Sequence, residues 1–131
     1  MTCEAAPSDQ ADKVRVDLDH SIIDELRVLG GNELVDEIVS LVCEDMSRSV
    51  GLLDRALVDD DASSVVRFAH TISGLCANIG AVGVVEVAKE IEKLASTGDL
   101  SAAYVLNDQL VARWYRANEV LATETGLSGP G

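Results

Sequence analysis

The stretch Phe68-Ala69-His70-Thr71-Ile72-Ser73-Gly74-Leu75-Cys76-Ala77-Asn78-Ile79-Gly80 reads as the second half of an α-helix. Wound at about 100° per residue, Val65, Phe68, Ala69, Ile72, Leu75, Cys76 and Ile79 gather into one apolar stripe. Ser63, Val66, Arg67, His70, Ser73, Gly74 and Ala77 fall on the opposite side. A solitary imidazole therefore stands away from the stripe, and beyond it on its own face come only Ser, Gly and Ala. Glycine inside a helix costs about 1 kcal/mol relative to alanine. Packing of the stripe does not account for Gly74, which points the other way. A bare surface beside an exposed histidine is what a second protein needs in order to bring a reactive group up to the ring.

Working outward, the helical period continues on both sides. A short helix is expected after residue 17, capped by Asp17 or Asp19, with Ile22, Ile23, Leu26 and Leu29 inward and Gly30-Gly31 as its stop. The spacing of Leu34, Ile38, Leu41, Val42, Met46, Val50, Leu53 and Leu57 predicts a long helix from Asn32 to about Val58. Asp59-Asp60-Asp61 reads as a turn and cap ahead of the histidine helix, 62–79, since carboxylates favour a helix N-terminus. Two further helices are expected over 81–96 and 100–123, the first with Val84, Val87, Ala88, Ile91, Leu94 and Ala95 inward. The second turns Ala103, Leu106, Leu110, Trp114, Ala117 and Leu121 inward, with Asp99 or Ser101 as its cap. No convincing strand alternation interrupts them. Short turns make sequential helices pack antiparallel. The expected fold is all-α: an antiparallel four-helix bundle with an additional short N-terminal helix, spanning residues 17–123 between flexible tails at 1–16 and 124–131.

Composition narrows the function. A chain of 131 residues supports one domain. The net charge of −13 disfavours nucleic acid and anionic membrane surfaces, both of which are held by Lys and Arg. No apolar run reaches the roughly 20 residues of a membrane span, and no signal peptide opens the chain. Cys3, Cys43 and Cys76 form no CxxC pair and read as free thiols of a reducing cytoplasm.

His70 is the candidate reactive group, because a neutral imidazole is a competent nucleophile near neutral pH and can carry a phosphoryl group. No Asp or Glu lies three or four residues away on its own helix, so a hydrolytic triad is not supported. His70 and Cys76 lie on nearly opposite sides of the helix and His20 is distant, which argues against a metal. No glycine-rich phosphate loop is present.

Ala69-His70-Thr71-Ile72-Ser73-Gly74, followed by Ala77-Asn78-Ile79-Gly80-Ala81, resembles the Ala-His-x-x-Lys-Gly signature of histidine phosphotransfer (HPt) domains of two-component phosphorelays. Leu41-Val42-Cys43-Glu44-Asp45, the acidic turn 59–61 and Ile91-Glu92 resemble further family features, in the same order, over about residues 18–122. The resemblance implies that His70 is phosphorylated on Nε2 and that Gly74 keeps the ring uncovered. It implies a carrier between receiver domains of hybrid histidine kinases and response regulators, monomeric, with no ATP-dependent kinase activity of its own. No metal or nucleotide belongs to it; the partner receiver supplies Mg²⁺. Where the family has Lys this chain has Ser73, and Arg67, one turn before His70, is the candidate to replace part of that charge. The same substitution keeps open an alternative, a non-catalytic adaptor that binds receivers with weak or no transfer. The expected docking surface comprises Val66, Ser73, Gly74 and Ala77, with Ile22, Ile23 and Met46 from neighbouring helices.

Overall fold

A computed structural model describes residues 18–125. These form four helices, α1 (His20–Val58), α2 (Ala62–Ala77), α3 (Val82–Ser96) and α4 (Leu100–Thr125), with no strand among the described residues. The expected tail 1–16, residues 126–131 of the expected tail 124–131, the alternative cap Asp17 and the thiol Cys3 lie outside the described residues. The last helix continues two residues past its expected end at Thr123.

The glycine pair does break the first helical stretch. Gly31 takes φ 73° and ψ −171°, a conformation open essentially to glycine alone. Helical hydrogen bonding resumes at once, so the expected short and long helices are residues 20–30 and 32–58 of one bent α1. Arg27 Nε donates to Asn32 Oδ1 across the bend at 2.9 Å. Asp19 caps the start, accepting from Ser21 N at 3.1 Å.

The N-terminal segment of α1 is held on the corner between α2 and α3. The Asp19 N–H donates to the Gly80 carbonyl at 2.6 Å, and Leu18 and Ile23 are buried beneath it. Gly80 has φ +76°, and a Cβ there would collide with the Asp19 carbonyl oxygen and lie 3.2 Å from Ile22 Cβ. This glycine thus ends the histidine helix and admits the closing segment.

Asp61 caps α2, accepting from Ser64 N at 3.2 Å and Ser64 Oγ at 2.7 Å. These bonds, aided by Arg67, hold its carboxyl below the ordinary range. Asp99 caps α4 through Ala102 N. Helix α2 packs most extensively on α3; the α1–α4 seam is the thinnest. That seam is bridged by Cys43 Sγ to Asn118 Oδ1 and Asn107 Nδ2 to Asp54 Oδ1, both 3.4 Å.

The core contains the expected Val65, Ala69, Ile72 and Cys76 of α2 and Ile79 of the turn after it, with Val84, Ala88 and Ile91 of α3 and Leu110 and Leu121 of α4. Two expected inward residues face out instead: Leu29 is 78% exposed and Leu41 53%. Segment 20–30 is covered on one side only, which leaves its C-terminal end bare. In 32–58 the buried line runs through Val35, Val39, Val42, Met46, Ser49 and Leu53, which puts Leu41 on its flank. Cys43 and Cys76 are free thiols; burial pushes the Cys76 thiol up to about 12. No helix among the described residues is long and apolar enough to cross a membrane.

Candidate functional site

His70 sits in the middle of α2 with its side chain 78% exposed. Its surroundings match the small-residue face in part. Gly74, one turn on, is exposed, and a Cβ built there meets no atom within 4 Å. The fold therefore gives no internal reason for a glycine at this point. Ala77 is exposed and Val66 half-buried.

Ser73 departs from expectation. It is only 8% exposed, because it lies between the His70 direction and the buried stripe, on the side that meets α3. It belongs to the wall of the α2–α3 seam and not to the open floor. Arg67 is exposed, but its guanidinium carbon lies 5.1 Å from the centroid of the Phe68 ring, a cation–π contact that draws it to one side. Of the neighbouring-helix candidates, Ile22 is half-buried at the Gly80 corner. Ile23 and Met46 are fully buried, Met46 with its sulfur 3.6 Å from Cys76 Sγ. Those two are core residues with no surface for a partner to touch.

One side chain at the site was not among the candidates the sequence offered. Glu92 of α3 places Oε2 3.3 Å from His70 Nδ1. The histidine's own helix carries no acid three or four residues away, and the carboxylate comes from the next helix. A carboxylate only accepts, so it favours the imidazole tautomer with the proton on Nδ1. The Nε2 lone pair then faces solvent. Glu92 is itself 31% exposed, so the pair sits at the rim of the seam, where water partly screens it. The fragment Ile91-Glu92 offered a usable signal: an acid directly after a buried apolar residue stands at the edge of a helix–helix contact.

A helical bundle that holds one imidazole out to solvent, backs its inner nitrogen with a carboxylate and leaves the next turn bare has the form of a histidine phosphoacceptor. Comparison with known proteins places it more closely. The Hpt domain family matches residues 37–121, and the chain belongs to that family of phosphorelay phosphotransfer proteins. Histidine-containing phosphotransfer protein B (HptB) of Pseudomonas aeruginosa PAO1, known from a crystal structure, is similar over 84% of this chain and 95% of its own, with a TM-score of 0.77 and 25% sequence identity. No curated protein sequence matches.

Proposed function

We propose that the protein accepts a phosphoryl group on His70 Nε2 from the phospho-aspartate of one receiver domain and passes it to another. The observation that carries this reading is the His70–Glu92 pair beside the open Gly74. The Nε2 lone pair attacks phosphorus, the phosphorus–oxygen bond to the receiver's aspartate breaks, and the aspartate leaves as a carboxylate. The Nδ1 proton stays in place, and the positive charge that develops on the ring is offset by Glu92. In the return step the same bonds form and break in reverse order. Mg²⁺ at the receiver's aspartate would be the partner's contribution.

The docking surface centres on His70, Gly74 and Ala77, with Val66 at its edge. The Met46–Cys76 contact sets the register of α1 against α2, and six residues further on Leu52, 41% exposed, stands at the level of His70. Cys43 and Asp54 hold α4 on the other flank of α1, so Leu52 borders the α1–α2 groove, on the side of α2 away from Glu92. The strong negative charge favours a monomer, acting in the cytoplasm where receivers are phosphorylated.

Incubation with a phosphorylated receiver tests the reading. Acid-labile label should appear on the wild type and be absent from His70→Gln; label retained by that variant refutes the assignment. Arg67→Ala should slow labelling if Arg67 leaves Phe68 for the phosphoryl group. Receiver binding by titration without any label would instead identify an adaptor.

A further inference from the structure

A phosphoryl group on Nε2 brings nearly two negative charges to a chain of net charge −13, beside Glu92. Position 73 holds a buried serine, and the Arg67 guanidinium rests against Phe68. The bundle has another cation at the right height. The His70–Glu92 contact fixes the register of the antiparallel helices α2 and α3. One turn back along α3 from Glu92 is Lys89; one turn forward along α2 from His70 is Ser73. Both steps cover about 4.5 Å in the same direction, so Lys89 stands across the seam from Ser73.

Its direction also fits. At about 100° per residue Lys89 is turned some 60° from Glu92, away from the buried line of Val84, Ala88, Ile91 and Ala95 and toward solvent. It thus lies on the outer side of α3 that borders α2. Lys89 is exposed and has no ion pair among the described residues. The small, sunken Ser73 leaves the seam low between Lys89 and the imidazole, and a lysine stem is long and flexible enough to cross it. Lys93, by contrast, is turned about 100° from Glu92 and stands at the level of Ala69.

The geometry points to Lys89 as the cation that stabilises the phosphoryl group on His70, supplied by α3 in place of a basic residue at position 73. The inference rests on the carrier reading above. No bond to Lys89 forms or breaks and its proton stays on it; the ammonium donates to phosphoryl oxygens as they approach Nε2.

The test follows label transfer from a phosphorylated receiver at low salt. Lys89→Ala should lower the saturating rate about tenfold with little change in receiver affinity by titration. Lys89→Arg should recover most of the loss, Lys93→Ala should behave as wild type, and the deficit should shrink in 0.5 M salt, as a screened charge effect does. Thermal unfolding of Lys89→Ala should match wild type, since the side chain is exposed. A labelled wild type with an unaffected Lys89→Ala overturns this inference alone, as does a loss that arginine does not restore. A wild type that takes no label overturns the carrier reading and this inference with it.

Discussion

Replacing Gly74 by alanine should make the protein more stable and a poorer phosphoryl carrier. A Cβ at this position meets no atom within 4 Å, and the residue lies inside α2. The substitution therefore recovers the full helix-propensity difference, about 1 kcal/mol, mainly by restricting the unfolded chain. For a domain of this size that is a rise in Tm of roughly 4 °C or more. Against this gain, each atom added at 74 stands on the face a receiver must approach to reach Nε2. Gly74→Ala should slow transfer measurably, and Gly74→Leu, which builds a branched side chain one turn from His70, should all but abolish it while remaining helical. Gly51 supplies the control. It too is exposed, helical and open, with nothing within 4 Å of an added Cβ, but it lies on α1 turned away from α2. Gly51→Ala should give a similar rise in Tm and leave transfer unchanged. Calorimetry or circular dichroism measures the first quantity, and rapid-quench labelling from a phosphorylated receiver the second. A fall in Tm for Gly74→Ala would show that the glycine serves the fold. Normal transfer by Gly74→Leu would show that the bare face is not the landing surface.

The remaining expectations concern the pieces that hold this face. Glu92→Ala should reduce the initial transfer rate about tenfold, the low end for removing the partner that orients a functional histidine, while Glu92→Gln, which keeps an acceptor oxygen, should recover part of it. Equal rates for wild type and Glu92→Ala in a quench-flow measurement would remove Glu92 from the mechanism. Gly80→Ala should cost about 2 kcal/mol or more in urea unfolding, from left-handed strain and displacement of Asp19 and Ile22 from the α2–α3 corner; unchanged stability would contradict that close approach. Asp61→Ala should lower the Tm at pH 7. The Asp61 carboxyl is held below its ordinary value of 3.8 by Ser64, so its contribution is complete above that pH and fades as pH falls through the depressed value. The gap between the two melting curves should therefore close as pH is lowered beneath that depressed value, and a gap that persists in strong acid would mean the charge is not what matters.

How much of this was legible in the sequence depends on which coordinate a residue pattern records. Spacing along one helix records direction about that helix. It found the stripe of Val65, Ala69, Ile72 and Cys76 and the outward His70, and the glycine pair marked the bend at Gly31, because backbone freedom is a property of the residue itself. Spacing does not record what stands opposite. Periodicity gives a wide apolar arc, and that width alone offers Ile23 and Met46 to a docking surface. Only the neighbouring helices decide which part of an arc is covered: Met46 meets Cys76 and is fully buried, while Leu41 is left 53% exposed on the flank. The orienting acid failed for the same reason, since Glu92 is twenty-two residues from His70 and reaches it only once α2 and α3 are in register.

That same register alters the meaning of Ser73. Read along α2 it is a missing cation one turn from the histidine. Read across the seam, it is a small buried side chain opposite a lysine with no ion pair among the described residues, and the charge at the site becomes a property of two helices. A basic residue added back at position 73 would then have to share the seam with Lys89, so Ser73→Lys should improve transfer far more in a Lys89→Ala background than in wild type. Equal and additive gains in both backgrounds would mean that the two positions act independently, and that position 73 alone sets the charge at the phosphoryl site.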